Sequence, residues 1–212
     1  MAETTATQAA PPTTSTPSLN LRAPIKLAKP ADLEAFKPPP LEWLKGTWSV
    51  THSTLPMWKK AKNVRITYTL IAPSTPGGPT LLDDVVSNKP IKKGLLPSME
   101  EIRGIDYPCD ENGDEIEDAA DAAQWHWKGK GWLKIAGGSR WEVLGWGEKG
   151  EERWVVTWFA ASRFTPAGID VYCDRMEGIS KELYGELEAG LKGLGIKEVG
   201  DLVGTMFPVL IE

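Results

Sequence analysis

The 212 residues carry 29 acidic and 24 basic side chains, a formal charge of −5, with 41% hydrophobic residues and no long apolar run. That is the make-up of one globular domain with a tail, without the basic patch of a nucleic-acid binder or a stretch able to span a membrane. The opening residues have neither a basic start nor an apolar segment, which predicts no secretory signal, and two cysteines make no disulfide framework, so the chain reads as a cytoplasmic protein with free thiols.

Residues 1–40 hold eight of the seventeen prolines and a single aromatic, Phe36. Such a stretch buries too little apolar surface to offset its ordering entropy. It predicts disorder over 1–20 and, over 21–40, a segment that either drapes over the domain or contains one short helix at 31–36, ahead of a domain over 41–212. All ten tryptophans lie between Trp43 and Trp158, which places the core there. Short alternating runs predict strands at 46–54, 62–71, 80–87, 123–128, 131–136, 140–147, 152–161 and 168–175. Gly-rich breaks separate them, and the short links between the last four imply an antiparallel meander.

Residues 88–122 interrupt the pattern with eight acids from Asp106 to Asp121 and no base among them. Their length predicts a functional flap or a partly mobile insert, with a protein partner for the acidic stretch 106–121 as a further expectation. Ile179, Leu183, Leu187, Leu191 and Leu194 form one apolar stripe after Ser180, a good N-cap, and predict a helix over about 178–193. The final FPVLIE reads as a short strand. Together these elements predict an all-β fold. It is an antiparallel up-and-down barrel of eight strands, closed so that no edge is left exposed, with a C-terminal helix and a disordered N-terminal tail.

The run Trp43-Leu44-Lys45-Gly46-Thr47-Trp48 puts a Gly-x-Trp on the first barrel strand. This feature, with the late helix and tail strand, resembles the calycin superfamily, the lipocalins and fatty-acid-binding proteins. The resemblance implies that Trp48 sits at the closed base of the barrel, that Arg175 from the end of the last strand lies across it, and that the interior holds a ligand.

Strand alternation assigns faces. It predicts Trp48, Val50 and His52 inward on the first strand, with Thr51 outward. Val64, Ile66, Tyr68 and Leu70 point inward on the second, with Thr67 outward. Trp125, Trp127, Trp141, Val143, Trp154, Val156, Trp158, Ile169 and Val171 complete the inner set. The interior is then aromatic, with His52 and Tyr68 as polar anchors, the usual make-up of a small-molecule pocket. Trp48 and Trp154 are expected to fill the barrel; Trp125, Trp127, Trp141 and Trp158 are expected to touch a ligand. His126 alternates with inward tryptophans and is expected outside.

Several motifs reduce to structure. Gly145-Trp146-Gly147-Glu148-Lys149-Gly150 spells a dinucleotide fingerprint, but a strand follows instead of a helix, so it is a hairpin turn. The acidic loop at Asp110 has its glycine two positions early for a calcium loop. No zinc spacing or nucleophile elbow occurs, and neither metal nor cofactor is expected. Two readings of function remain. One is intracellular binding of a small hydrophobic molecule, aromatic or polyunsaturated, since flat π-faces stack on indoles. The other is a cofactor-independent isomerase or cyclase acting in the same cavity, with His52 and Tyr68 as its acid and base.

Overall fold

The computed structural model describes residues 19–92, 101–119, 122, 124–131, 133, 138–162 and 165–212. Eight antiparallel strands close into a barrel: β1 (Gly46–Ser53), β2 (Ala61–Ile71), β3 (Leu81–Pro90), β4 (Glu101–Cys109), β5 (Gln124–Gly129), β6 (Gly138–Lys149), β7 (Glu152–Phe159) and β8 (Gly168–Cys173). Each pairs with the next in sequence, and β1 pairs with both β2 and β8, which completes the closure. A two-residue strand β9 (Phe207–Pro208) pairs with the end of β1 at His52 and Ser53, where β1 no longer pairs with β2.

Seven of the strands lie where alternation predicts them. The eighth differs. It is β4, inside the stretch read as an insert, while the expected strand at 131–136 falls largely outside the described residues. The face of β4 that meets the lumen carries Gly104 and Asp106 and so shows no apolar stripe. The loop after β4 folds back on β5 rather than standing free. The Asp110 carboxylate accepts from the Asn112 and Asp114 amides, both at 2.9 Å, and Glu115 pairs with Lys128.

Helices α1 (Pro30–Ala35) and α2 (Leu41–Leu44) precede the barrel. The segment from Leu19 is tied to β6: Arg22 N–H donates to the Leu144 carbonyl at 2.8 Å, and its guanidinium makes a buried 2.5 Å ion pair with Glu142. A longer helix, α3 (Lys181–Gly193), starts at the Ser180 cap, whose hydroxyl accepts from the Leu183 amide at 3.3 Å. Its stripe of Leu183, Leu187 and Leu191 is fully buried against the outer face of β7 and β8, with α4 (Lys197–Val203) beside it. Burying each leucine contributes roughly 1.5–3 kcal/mol. No helix among the described residues is long and apolar enough to cross a membrane.

Two apolar cores follow from this arrangement. The lumen holds Trp48, Val50, Val64, Ile66, Tyr68, Leu82, Trp125, Trp141, Val143, Val155 and Tyr172. The outer core, under α3 and α4, holds Leu144, Trp154, Val156, Ile169 and Val171. Alternation alone puts Trp154, Val156, Trp158, Ile169 and Val171 inside; the structure puts them outside. β7 and β8 are covered on both faces, and their apolar period, Trp154, Val156, Ile169 and Val171, is the one that packs outward under α3, while the inner face carries Val155, Thr157, Asp170 and Tyr172.

Candidate functional site

The base of the barrel is a tryptophan cluster. Trp48 is 1% exposed and its indole N–H donates to the Leu44 carbonyl of α2 at 2.7 Å. Trp43 packs on it with ring centroids 5.3 Å apart, and Trp146 meets Trp43 edge-on at 4.7 Å. The cation over Trp48 is Arg153, from the start of β7, at 4.9 Å from the ring centroid and 4.4 Å from that of Trp43. The same guanidinium donates to the Trp43 carbonyl. Arg175, expected in that place, instead lies on the surface between Glu152 and Glu177. Indole faces attract guanidinium groups irrespective of which strand supplies them, and the last strand ends two residues before Arg175.

His52 is not in the lumen. β1 carries a bulge between Val50 and His52, and one extra residue reverses the parity of everything beyond it. His52 therefore pairs with Val171 on the outer face, and its ring stacks on Tyr184 of α3 at 3.5 Å. Burial lowers its pKa to about 4, the nearby Glu188 notwithstanding. Ser53 takes the inward place instead. Its hydroxyl donates to Asp170 at 2.5 Å, and the indole N–H of Trp58, from the 3-10 turn Pro56–Lys60, reaches the other oxygen of that carboxyl at 3.3 Å.

Tyr68, Trp125 and Trp141 do meet inside. Tyr68 stacks on Trp141 with centroids 5.7 Å apart and planes 18° from parallel, and Trp141 stacks on Trp125 at 6.1 Å and 19°. The three rings form a ladder across the lumen. Trp127 stands on the same face of β5, half-buried, and Gly104 of β4 makes room for it. A Cβ at Gly104 would lie 2.1 Å from the Trp127 indole nitrogen. Trp158, the remaining expected ligand contact, packs on the outer core. His126 faces outward, near Glu115 at 3.5 Å.

The lumen also contains three carboxyls that the sequence reading left out: Asp84 on β3, Asp106 on β4 and Asp170 on β8. Asp84 shares a face with Leu82 and Val86, and Asp106 shares one with Gly104. Register places Asp84 opposite both Tyr68 and Gly104, so Asp106 is its diagonal neighbour. The Trp141 indole N–H donates to Asp106 Oδ1 at 2.7 Å. Asp106 Oδ2 and Asp84 Oδ1 have no hydrogen-bond partner. Beside them lie the hydroxyls of Tyr68, Tyr172 and Thr157. They are close enough to influence one another, yet Tyr172 Oη and Thr157 Oγ1 make no well-formed hydrogen bond.

Burial dominates the electrostatics here. Desolvation, with repulsion from Asp83, raises Asp84 to about 7. Desolvation and the Asp84 charge raise Asp106 well above the carboxylate range, against the opposing Trp141 hydrogen bond. Asp170 rises to about 7 for the same first reason. Burial likewise pushes Tyr68 upward. A carboxyl of this kind, desolvated and without a cation beside it, stays protonated near neutrality and can donate as well as accept.

A cavity of about 1640 Å³ opens beside the base, between the segment 22–44 and the loops before β3 and β5. Its walls include Phe36, Leu44, Trp125 and Val143, of which the last three belong to the lumen core. Asp84 and Asp106 lie beyond the Trp125–Trp141 stack and are not part of these walls. Among the described residues no group of three or more His, Cys, Asp and Glu is placed to hold a metal ion. Both cysteines are buried free thiols.

A closed meander barrel with a helix on its flank and aromatic residues in its lumen defines the lipocalin type of fold. Solved structures place the chain beside it. The H1 crustacyanin of the lobster Homarus americanus has 10% identity and a TM-score of 0.52 over 96% of this chain and 94% of its own. Apocrustacyanin C1 has 11% identity and a TM-score of 0.51 over 79% and 77%. No protein-family model and no curated protein sequence matches the chain. The likeness is one of fold.

Proposed function

We propose that this barrel binds a small hydrophobic molecule with a planar aromatic or polyunsaturated body in its lumen. The observation that carries the reading is the ring ladder Tyr68–Trp141–Trp125 with Trp127 beside it. It offers flat faces for stacking, and a few polar groups converge on it, the pattern of a ligand site. The barrel is also of the size that holds one small ligand. The two buried free thiols support a reducing, cytoplasmic setting. Native mass spectrometry of protein purified from its own host tests the reading: a retained small molecule, released on denaturation, is expected. A protein that carries none, and whose tryptophan emission does not respond to Nile red, a neutral planar dye, would overturn it.

A second reading, an isomerase or cyclase acting by proton transfer, draws support from one observation. Asp84 titrates near neutrality and is register partner to Tyr68, which is where a general acid–base group works best. His52 has no part in it, being on the outer face. Turnover of the retained molecule or its precursor, lowered in Asp84→Asn by roughly 10²–10⁴-fold with binding kept, would favour the enzyme.

A further inference from the structure

Around Asp84 and Asp106 the described residues place no base. Asp84 is 6% exposed and Asp106 is not exposed at all. Each keeps one carboxyl oxygen without a hydrogen bond, and neither forms an ion pair with any described residue. Buried polar atoms are nearly always satisfied, so two orphaned carboxyl oxygens on neighbouring strands call for a partner. The groups that face them are Tyr68 on β2, Trp141 on β6, and Asp170 and Tyr172 on β8. Asp83, on the opposite face of β3, pairs with Lys130 outside at 2.6 Å. The titratable groups that face the two carboxyls are acidic or phenolic; Arg153, the cation of the inner face of β7, lies at the base of the barrel over Trp48 and Trp43. Aromatic side chains, which attract cations through their ring quadrupoles, flank the two carboxyls: Tyr68 is the register partner of Asp84, Trp127 that of Asp106, and Trp141 donates to Asp106.

From this juxtaposition we infer that Asp84 and Asp106 anchor the ammonium group of an amine ligand whose flat apolar body lies against Trp125, Trp127 and Trp141. The inference deepens the lumen-binding reading and rests on it. An ammonium has three donors and no acceptor, which matches two orphaned acceptors. Its charge replaces the missing base, so a carboxylate that is costly to ionise alone becomes favourable to ionise with the ligand in place. The head group needs little room, about that of one water molecule. Binding then releases protons, because without the cation Asp106 is held protonated and Asp84 is partly protonated, and both are ionised with it.

Tryptamine and tryptophol test this. They share the indole and differ in an ammonium against a neutral hydroxyl. Calorimetry at pH 7.5 should give tryptamine a lower Kd by about ten- to hundredfold, the worth of a hydrogen bond to a charged group. Titrations in two buffers of different ionisation enthalpy should show net proton release for tryptamine and none for tryptophol. Affinity for tryptamine should rise from pH 5 to pH 8. Asp84→Asn and Asp106→Asn should each shrink the tryptamine preference to within about threefold while leaving the far-UV circular dichroism spectrum intact, which shows that the barrel persists. Equal affinity for the two indoles, binding of neither, or a preference that survives both substitutions would overturn the amine anchor. If Nile red still binds in any of those cases, lumen binding stands without it; if Nile red does not bind either, both readings fall.

Discussion

Replacing Asp84 by asparagine should stabilise the protein above neutral pH and change little in acid. The side chain is buried with an unpartnered oxygen, and burial lifts its pKa from 3.8 to about 7. The unfolded chain therefore gives up this proton first as pH rises. Between the two midpoints each pH unit removes about 1.4 kcal/mol of stability. The loss is absent below roughly pH 3.8, grows through the window, and is complete above roughly pH 7, at an upper value of about 4 kcal/mol. Relaxation around the ionised group brings the expected loss to about 2–4 kcal/mol. An amide has nearly the same shape and cannot ionise, so Asp84→Asn escapes it. Urea unfolding of both proteins at pH 4 and pH 8 measures the effect as a difference of differences, which cancels the contribution of Asp170; Asp106, relieved of the Asp84 charge in the variant, adds to the effect with the same sign. A stability gap that stays flat from pH 4 to pH 8, or that favours the wild type more at pH 8, would show that Asp84 is ionised and paired in the fold, and the electrostatic account of the lumen would be wrong.

At the base, Trp48→Ala should cost roughly 3–5 kcal/mol in urea unfolding, as for other large buried aromatics. Arg153→Ala should cost about 1–2 kcal/mol through lost ring contacts and packing, whereas Arg175→Ala should fall within about 0.5 kcal/mol of wild type; the reverse order would refute the assignment of the cation over Trp48. Arg22→Ala leaves Glu142 buried beneath the N-terminal segment without its ion pair, and thermal unfolding should register a loss of about 3–5 kcal/mol. Gly104→Ala drives a methyl into the Trp127 indole, so it should destabilise by about 1–3 kcal/mol and alter Nile red affinity. Tyr68→Phe should weaken lumen ligands by roughly 0.5–1.5 kcal/mol if its hydroxyl meets them, while His52→Ala should leave their affinity unchanged; equilibrium fluorescence titration checks both.

Most of the barrel was legible because a half-buried strand advertises its faces. β3, β5, β1 as far as Val50, and β2 from Arg65 onward show alternation in the sequence, and the leucine stripe of α3 shows its helical period. Two kinds of feature were not. β4 presents Gly104 and Asp106 to the lumen, where a strand search expects apolar side chains, and it is embedded in an acidic stretch that reads as solvated loop. β7 and β8 are buried on both sides, and the apolar period of each faces α3, so parity read it as the lumen face until α3 was in place. The lumen's Tyr68, Trp125 and Trp141 followed from parity alone. His52 did not, because a bulge of one residue is invisible in the pattern yet decides which face every later side chain takes. Asp84 was readable in principle: in Leu-Leu-Asp-Asp-Val-Val it shares the period of Leu82 and Val86, and an acid at such a place is the informative exception in an apolar strand. Asp170 was not, because the apolar period of Ile169 and Val171 read as the inner one and put it outside.

The tryptophans themselves offer the sharpest test of the lumen as the binding site. With ¹⁵N-labelled indoles, each N–H gives its own NMR resonance, and those of Trp125, Trp127 and Trp141 line the barrel while those of Trp154 and Trp158 lie outside it under α3. Titration with Nile red, or with the molecule retained from the host, should shift the first three, Trp141 most visibly because its N–H is held by Asp106. The outer pair should stay in place. Shifts confined to Trp154 and Trp158, or a ligand that binds with none of the three inner resonances moving, would contradict lumen binding.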